Sequence, residues 1–172
     1  MRKTLMRARF AAVLFLLVLG PLATAQSGEK SFKATLTGLQ EGPAISTTGT
    51  GEFRARLDAA GTTLTYELEY SGLEGTSTTA AHVHLGQRGV NGGVSFFLCG
   101  GGGKPTCPAT QGLVTGTVEA VDVVGPVAQG IALGEFAEIV AAMQSGATYA
   151  NVHTNKHPGG EVRGQIKDPR SE

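Results

Sequence analysis

The stretch GEFRARLDAAGTTLTYELEY, residues 51–70, alternates apolar and polar side chains on both sides of a short turn. Phe53, Ala55 and Leu57 fall on one face of an extended chain, with Glu52, Arg54 and Arg56 on the other; Leu64, Tyr66, Leu68 and Tyr70 repeat the pattern. A period of two is that of a strand with one buried face. Between the runs, Asp58 can bond its own backbone and Gly61 tolerates a left-handed turn. The spacing predicts an antiparallel hairpin.

The same period recurs along the chain. SFKATLTG sets Phe32, Ala34 and Leu36 on one face, and AAHVHL, GVSFFLC, GLVTGTVEAV, TYANVH and GEVRGQI are further strand candidates. About eight short strands between Gly, Thr, Ser and Pro favour an all-β sandwich or barrel over an α/β design. One segment breaks the period. GEFAEIVAAMQSG places Phe136, Ile139, Val140 and Met143 at helical spacing with Gly146 available to end the turn, which predicts one short amphipathic α-helix with those residues in the core.

The chain opens with Arg2, Lys3, Arg7 and Arg9, continues through the apolar AAVLFLLVLGPLATAQ, and has small residues at Ala23 and Ala25. That order predicts a secretory signal peptide over 1–25, cleaved before Gln26, since the apolar run is shorter than the ~20 residues a spanning helix needs. The expected exported domain is 26–172, with its core at about 30–167 and no transmembrane segment. Ten basic against fourteen acidic residues remain in it, a net charge of −4, which argues against a nucleic-acid partner. Export makes a disulfide the expected pairing of Cys99 and Cys107, which bracket CGGGGKPTC, over a thiol-based metal or redox site, for which CxxC spacing is absent.

The four histidines carry the candidate chemistry. AHVH at 81–84 and ANVH at 150–153 share Ala-x-Val-His, and each is followed by a Gly-Gly pair. If Val83 and Val152 face the core, the imidazoles lie on the opposite face. Imidazoles at i and i+2 of one strand can reach a single cation, with a third from a neighbouring strand, and neutral His suits copper or zinc. His82, His84 and His153 are the candidate triple, His157 a candidate fourth ligand, and Asn151 and Glu161 candidate partners that orient a ring. The alternative is that the same side chains hydrogen-bond across strands and hold loops.

At these residues the chain resembles the chordin-type (CHRD) domain, known from an extracellular antagonist and from exported bacterial proteins of one domain. LTGLQEGPAISTTGTGEF is similar to the family's opening strand, Glu-x-Pro turn and glycine-led second strand; AHVHLGQRGVNGGV and YANVHTNKHPGGEVRGQI are similar to its His-x-His strand and closing hairpin. The resemblance implies an immunoglobulin-like or superoxide-dismutase-like antiparallel β-sandwich and no established enzymatic activity. It leaves the pairing near 97–115 open, because CGGGGKPTC resembles an insertion.

Two further readings stand beside a binding or structural module. A dinuclear centre of superoxide-dismutase type needs more histidines than the four present, but a mononuclear copper or zinc enzyme is stoichiometrically allowed. An extracellular protein-interaction module requires a protein partner and an exposed apolar patch or strand edge. No Gly-x-Ser-x-Gly, His-Glu-x-x-His or phosphate-binding loop is present. In GGEVRGQI, Glu161, Arg163 and Gln165 share a strand face, expected to be an outer face on which the charges support the sheet.

Overall fold

A computed structural model describes residues 29–170; the expected signal peptide lies outside them. The elements are β1 (Lys30–Thr37), β2 (Thr50–Leu57), β3 (Leu64–Ser71), β4 (Thr78–Leu85), β5 (Val94–Cys99), β6 (Gly112–Val118), α1 (Phe136–Gln144), β7 (Thr148–Thr154) and β8 (Val162–Gln165), with short 3-10 turns in the connections. Each strand and the helix fall where the hydrophobic period places them.

The hairpin of residues 51–70 pairs without a slip from Thr50 opposite Ser71 to Leu57 opposite Leu64. Its turn forms for the expected reasons. Asp58 Oδ1 accepts the N–H groups of Thr62 and Thr63, and Gly61 takes φ +74°.

All strands join one antiparallel sheet in the order β5-β4-β7-β8-β1-β2-β3-β6. That order divides into two four-stranded layers, joined where β8 meets β1 through Thr37–Arg163 and an isolated bridge between Lys33 and Lys167. The fold is therefore an all-β sandwich rolled from one sheet. Inward residues of both layers, among them Phe32, Phe53, Leu68, Val83, Phe96 and Val152, form a single buried cluster. The Tyr66 hydroxyl crosses that core to donate to the Leu98 carbonyl at 2.7 Å, which satisfies both polar groups and ties β3 to β5.

The end strands β5 and β6 pair with β4 and β3 respectively, so the glycine-rich loop is a crossover between the two ends of the sheet. Cys99 and Cys107 are disulfide-bonded at its base. Closing so short a loop contributes about 2–3 kcal/mol by limiting the unfolded chain. The helix buries Phe136, Ile139, Val140 and Met143 in the same cluster, and Gly146 at φ +70° turns the chain into β7. Among the described residues no helix is long and apolar enough to cross a membrane.

Candidate metal centre

The site follows from the register of two strands. In the β4–β7 pair, Ala80 lies opposite His153, His82 opposite Asn151, and His84 opposite Tyr149. Alternate residues share a face, so Ala81, Val83, Ala150 and Val152 enter the core while His82, His84, Tyr149, Asn151 and His153 line the other side. Phe97 of β5 and Arg163 of β8 extend that face through their own pairings.

Two loops cover it. The loop 86–93 is held by Arg163, whose guanidinium donates to the carbonyls of Gln87 and Val90 and to Asn91 Oδ1. The loop after β1 brings Glu41, whose Oε1 accepts from Asn151 Nδ2 at 2.6 Å. Arg163 is thus 1% exposed, a correction to the expected outer strand face. The covering segments come from distant parts of the chain, and the guanidinium also lies 3.4 Å over the Tyr149 ring.

His82, His84 and His153 converge. Taking one ring nitrogen from each, the three atoms lie within 4.8 Å of one another. The rings pack at centroid distances of 4.5 Å (His82–His153), 5.1 Å (His82–His84) and 6.1 Å (His84–His153). Tyr149 stacks parallel on His84 at 4.7 Å, and the Phe97 ring packs perpendicular to that of His82 at 4.8 Å. These contacts fix the ring planes.

Hydrogen bonds fix the tautomers. His84 Nδ1 is 2.9 Å from the Gly92 carbonyl and His153 Nδ1 is 2.9 Å from the Pro158 carbonyl, so each Nδ1 carries the proton and donates. Their Nε2 atoms then bear lone pairs. His84 Nε2 accepts from His82 Nδ1 at 3.1 Å, whereas His153 Nε2 is buried with no partner among the described residues.

Burial, reinforced by the neighbouring imidazoles, pushes His82 down to about 3. Burial also takes His84 to about 4 against the opposing Gly92 bond, and lowers His153. All three rings are neutral near pH 7, the state a ligand must hold. Glu41 moves the other way: burial raises it to about 7, with the Asn151 bond and Arg163 charge opposing.

The other proposed residues lie outside this convergence. His157 sits in the following turn, with its Nε2 buried and unpartnered among the described residues. Asn151 bonds Glu41 and the Val162 carbonyl. Glu161 turns away, accepting from Thr47, Thr154 and the Glu74 N–H. Ring orientation falls to the backbone carbonyls of Gly92 and Pro158 and to Tyr149. Tyr149 was legible by the same parity as Asn151 and His153; the carbonyls leave no trace in side-chain identity.

The segments named for the family resemblance also meet in space. Asn91 Nδ2 donates to the Gly42 carbonyl, Arg163 holds Asn91, and a Cβ on Gly160 would come 2.6 Å from both Glu41 and Asn151. The family model of the CHRD domain matches residues 32–166. The chain belongs to the CHRD domain family. That match spans β1 to the end of β8, so the histidine face lies inside the CHRD domain and is not an appendage to it. A comparison with curated proteins returned no match.

Proposed function

We propose that this CHRD domain is an exported binding module that holds one transition-metal ion, copper or zinc, on His82, His84 and His153. The observation that carries the reading is the convergence of three neutral imidazoles, two with Nδ1 tied to a carbonyl and Nε2 presented. A carbonyl on one ring nitrogen is the usual support for a metal on the other. The 3.1 Å between His82 Nδ1 and His84 Nε2 suits two donors on one ion at ~2.0–2.1 Å. Binding through that atom requires His82 to move its proton from Nδ1 to Nε2, so the ion takes the place of a hydrogen bond. Export is supported by the basic-apolar-small order of residues 1–25 and by the disulfide.

Calorimetric titration of the purified exported protein with copper(II) or zinc(II) tests this. The expected result is saturable binding tighter than ~100 μM, weakened about 100-fold or more in His153→Ala. No saturable binding by the wild type removes the reading. A second reading, a protein-interaction module, draws support from Val121, Val127 and Leu133, which are exposed in the segment between β6 and α1.

A further inference from the structure

The segment 105–152 contains no Lys, Arg or His and four acidic residues, Glu119, Asp122, Glu135 and Glu138. It also holds Val121, Val124, Val127 and Leu133, four of the seven large hydrophobic side chains exposed among the described residues. Val121 is 88% exposed and Leu133 73%, and neither joins the core. Exposed apolar side chains are ordinary when scattered singly. Their concentration between β6 and α1, in a stretch of one charge sign, marks an interaction surface.

The fold gathers this stretch around a groove of about 380 Å³. Ala120 lines it from the 3-10 turn after β6, Gly134, Glu135 and Glu138 from the start of α1, and Gly61 and Thr62 from the β2–β3 turn. The Gly134 N–H donates to the Val123 carbonyl, so the stretches bearing Leu133 and Val121 lie side by side. Their backbones are held: Glu135 Oε2 accepts the Ala132 N–H, and Asp122 Oδ2 accepts the Glu119 N–H. Lys104, just ahead of the segment, pairs with Asp122 at 2.8 Å. Glu119, Glu135 and Glu138 remain exposed, and no Lys, Arg or His lines the groove.

We propose that this face docks a cationic segment of a second exported protein, its apolar side chains covering Val121 and Leu133 and entering the groove beside them, its flanking Lys or Arg set against Glu119, Glu135 and Glu138. The inference rests on the reading of the domain as a protein-interaction module and names the chemistry of the partner. Apolar contact supplies most of the affinity, and complementary charge selects and orients the partner. The same carboxylates repel an anionic lipid surface. A two-fold dimer through this face would set carboxylate against carboxylate.

Selection of random displayed peptides on the intact exported protein tests the proposal, with the leading peptide then synthesised and titrated by amide NMR. Enriched sequences are expected to join apolar residues to Lys or Arg, and the leading peptide to shift Ala120, Gly134 and Glu138 with saturation below ~1 mM. Val121→Ser with Leu133→Ser should weaken it about tenfold or more, the loss that follows removal of anchor contacts. Glu119→Gln with Glu138→Gln should weaken it roughly threefold and reduce its salt dependence. All four residues are exposed, so both variants keep the fold, which thermal melting checks. Enriched peptides that lack cations yet lose binding in the Val121→Ser, Leu133→Ser variant overturn the partner's charge and leave the interaction module standing. No enrichment, or peptides that bind that variant undiminished, overturns the surface and the module reading with it. Self-association or vesicle binding that the variant abolishes assigns the face to a second copy or a lipid surface and overturns the proposal.

Discussion

Arg163→Ala is expected to lower stability by about 3–5 kcal/mol in urea denaturation, the cost of breaking a buried charged network. The guanidinium supplies donors to the Gln87 and Val90 carbonyls and to Asn91 Oδ1, and its plane covers the Tyr149 ring. Truncation leaves three acceptors of one loop unpaired and a void against the tyrosine. Arg163→Lys keeps the charge without the planar fork and should recover less than half of the loss. A change below about 1 kcal/mol for Arg163→Ala would show that the loop 86–93 stands without it.

Glu161→Ala is expected to cost a similar amount, about 3–5 kcal/mol, since a buried carboxylate that accepts three hydrogen bonds is removed. Burial raises the carboxyl's pKa, but bonds from the Glu74 N–H, Thr154 and Thr47 outweigh it and hold the group below its ordinary value. A depressed carboxyl stabilises the fold above the ordinary carboxylate range, and that stability is lost as pH falls through the native pKa. The acid limb of the stability curve below about pH 4.5 should therefore flatten in the variant. Glu41 has the opposite sign. Raised to about 7, it contributes most below 4.5 and loses that contribution as pH rises toward 7. An acid limb as steep in Glu161→Ala as in the wild type would assign it to other carboxyls.

The strands were legible because each layer buries one face, so Phe53, Ala55 and Leu57 announce their partners in Leu64, Tyr66 and Leu68. The histidine convergence was legible from the repeated Ala-x-Val-His, which sets the parity of both strands, although only the register between β4 and β7 brings His153 beside His82. The covering of that face was not. Glu41, Asn91 and Arg163 meet through loops distant in sequence, and no local pattern distinguishes an arginine that will be roofed over from one left in water. Glu161 precedes β8 and turns its carboxylate to Thr154, so the shared face expected with Arg163 and Gln165 does not extend back to it.

Metal content of the protein purified without chelators from its own host tests the central claim most directly. Near-stoichiometric copper or zinc is expected in the wild type after dialysis, and its loss is expected in His84→Ala, which removes one of the three proposed ligands while leaving the core-facing side of β4 intact. A wild-type protein free of both metals, or equal content in His84→Ala, would contradict a shared site on the three imidazoles.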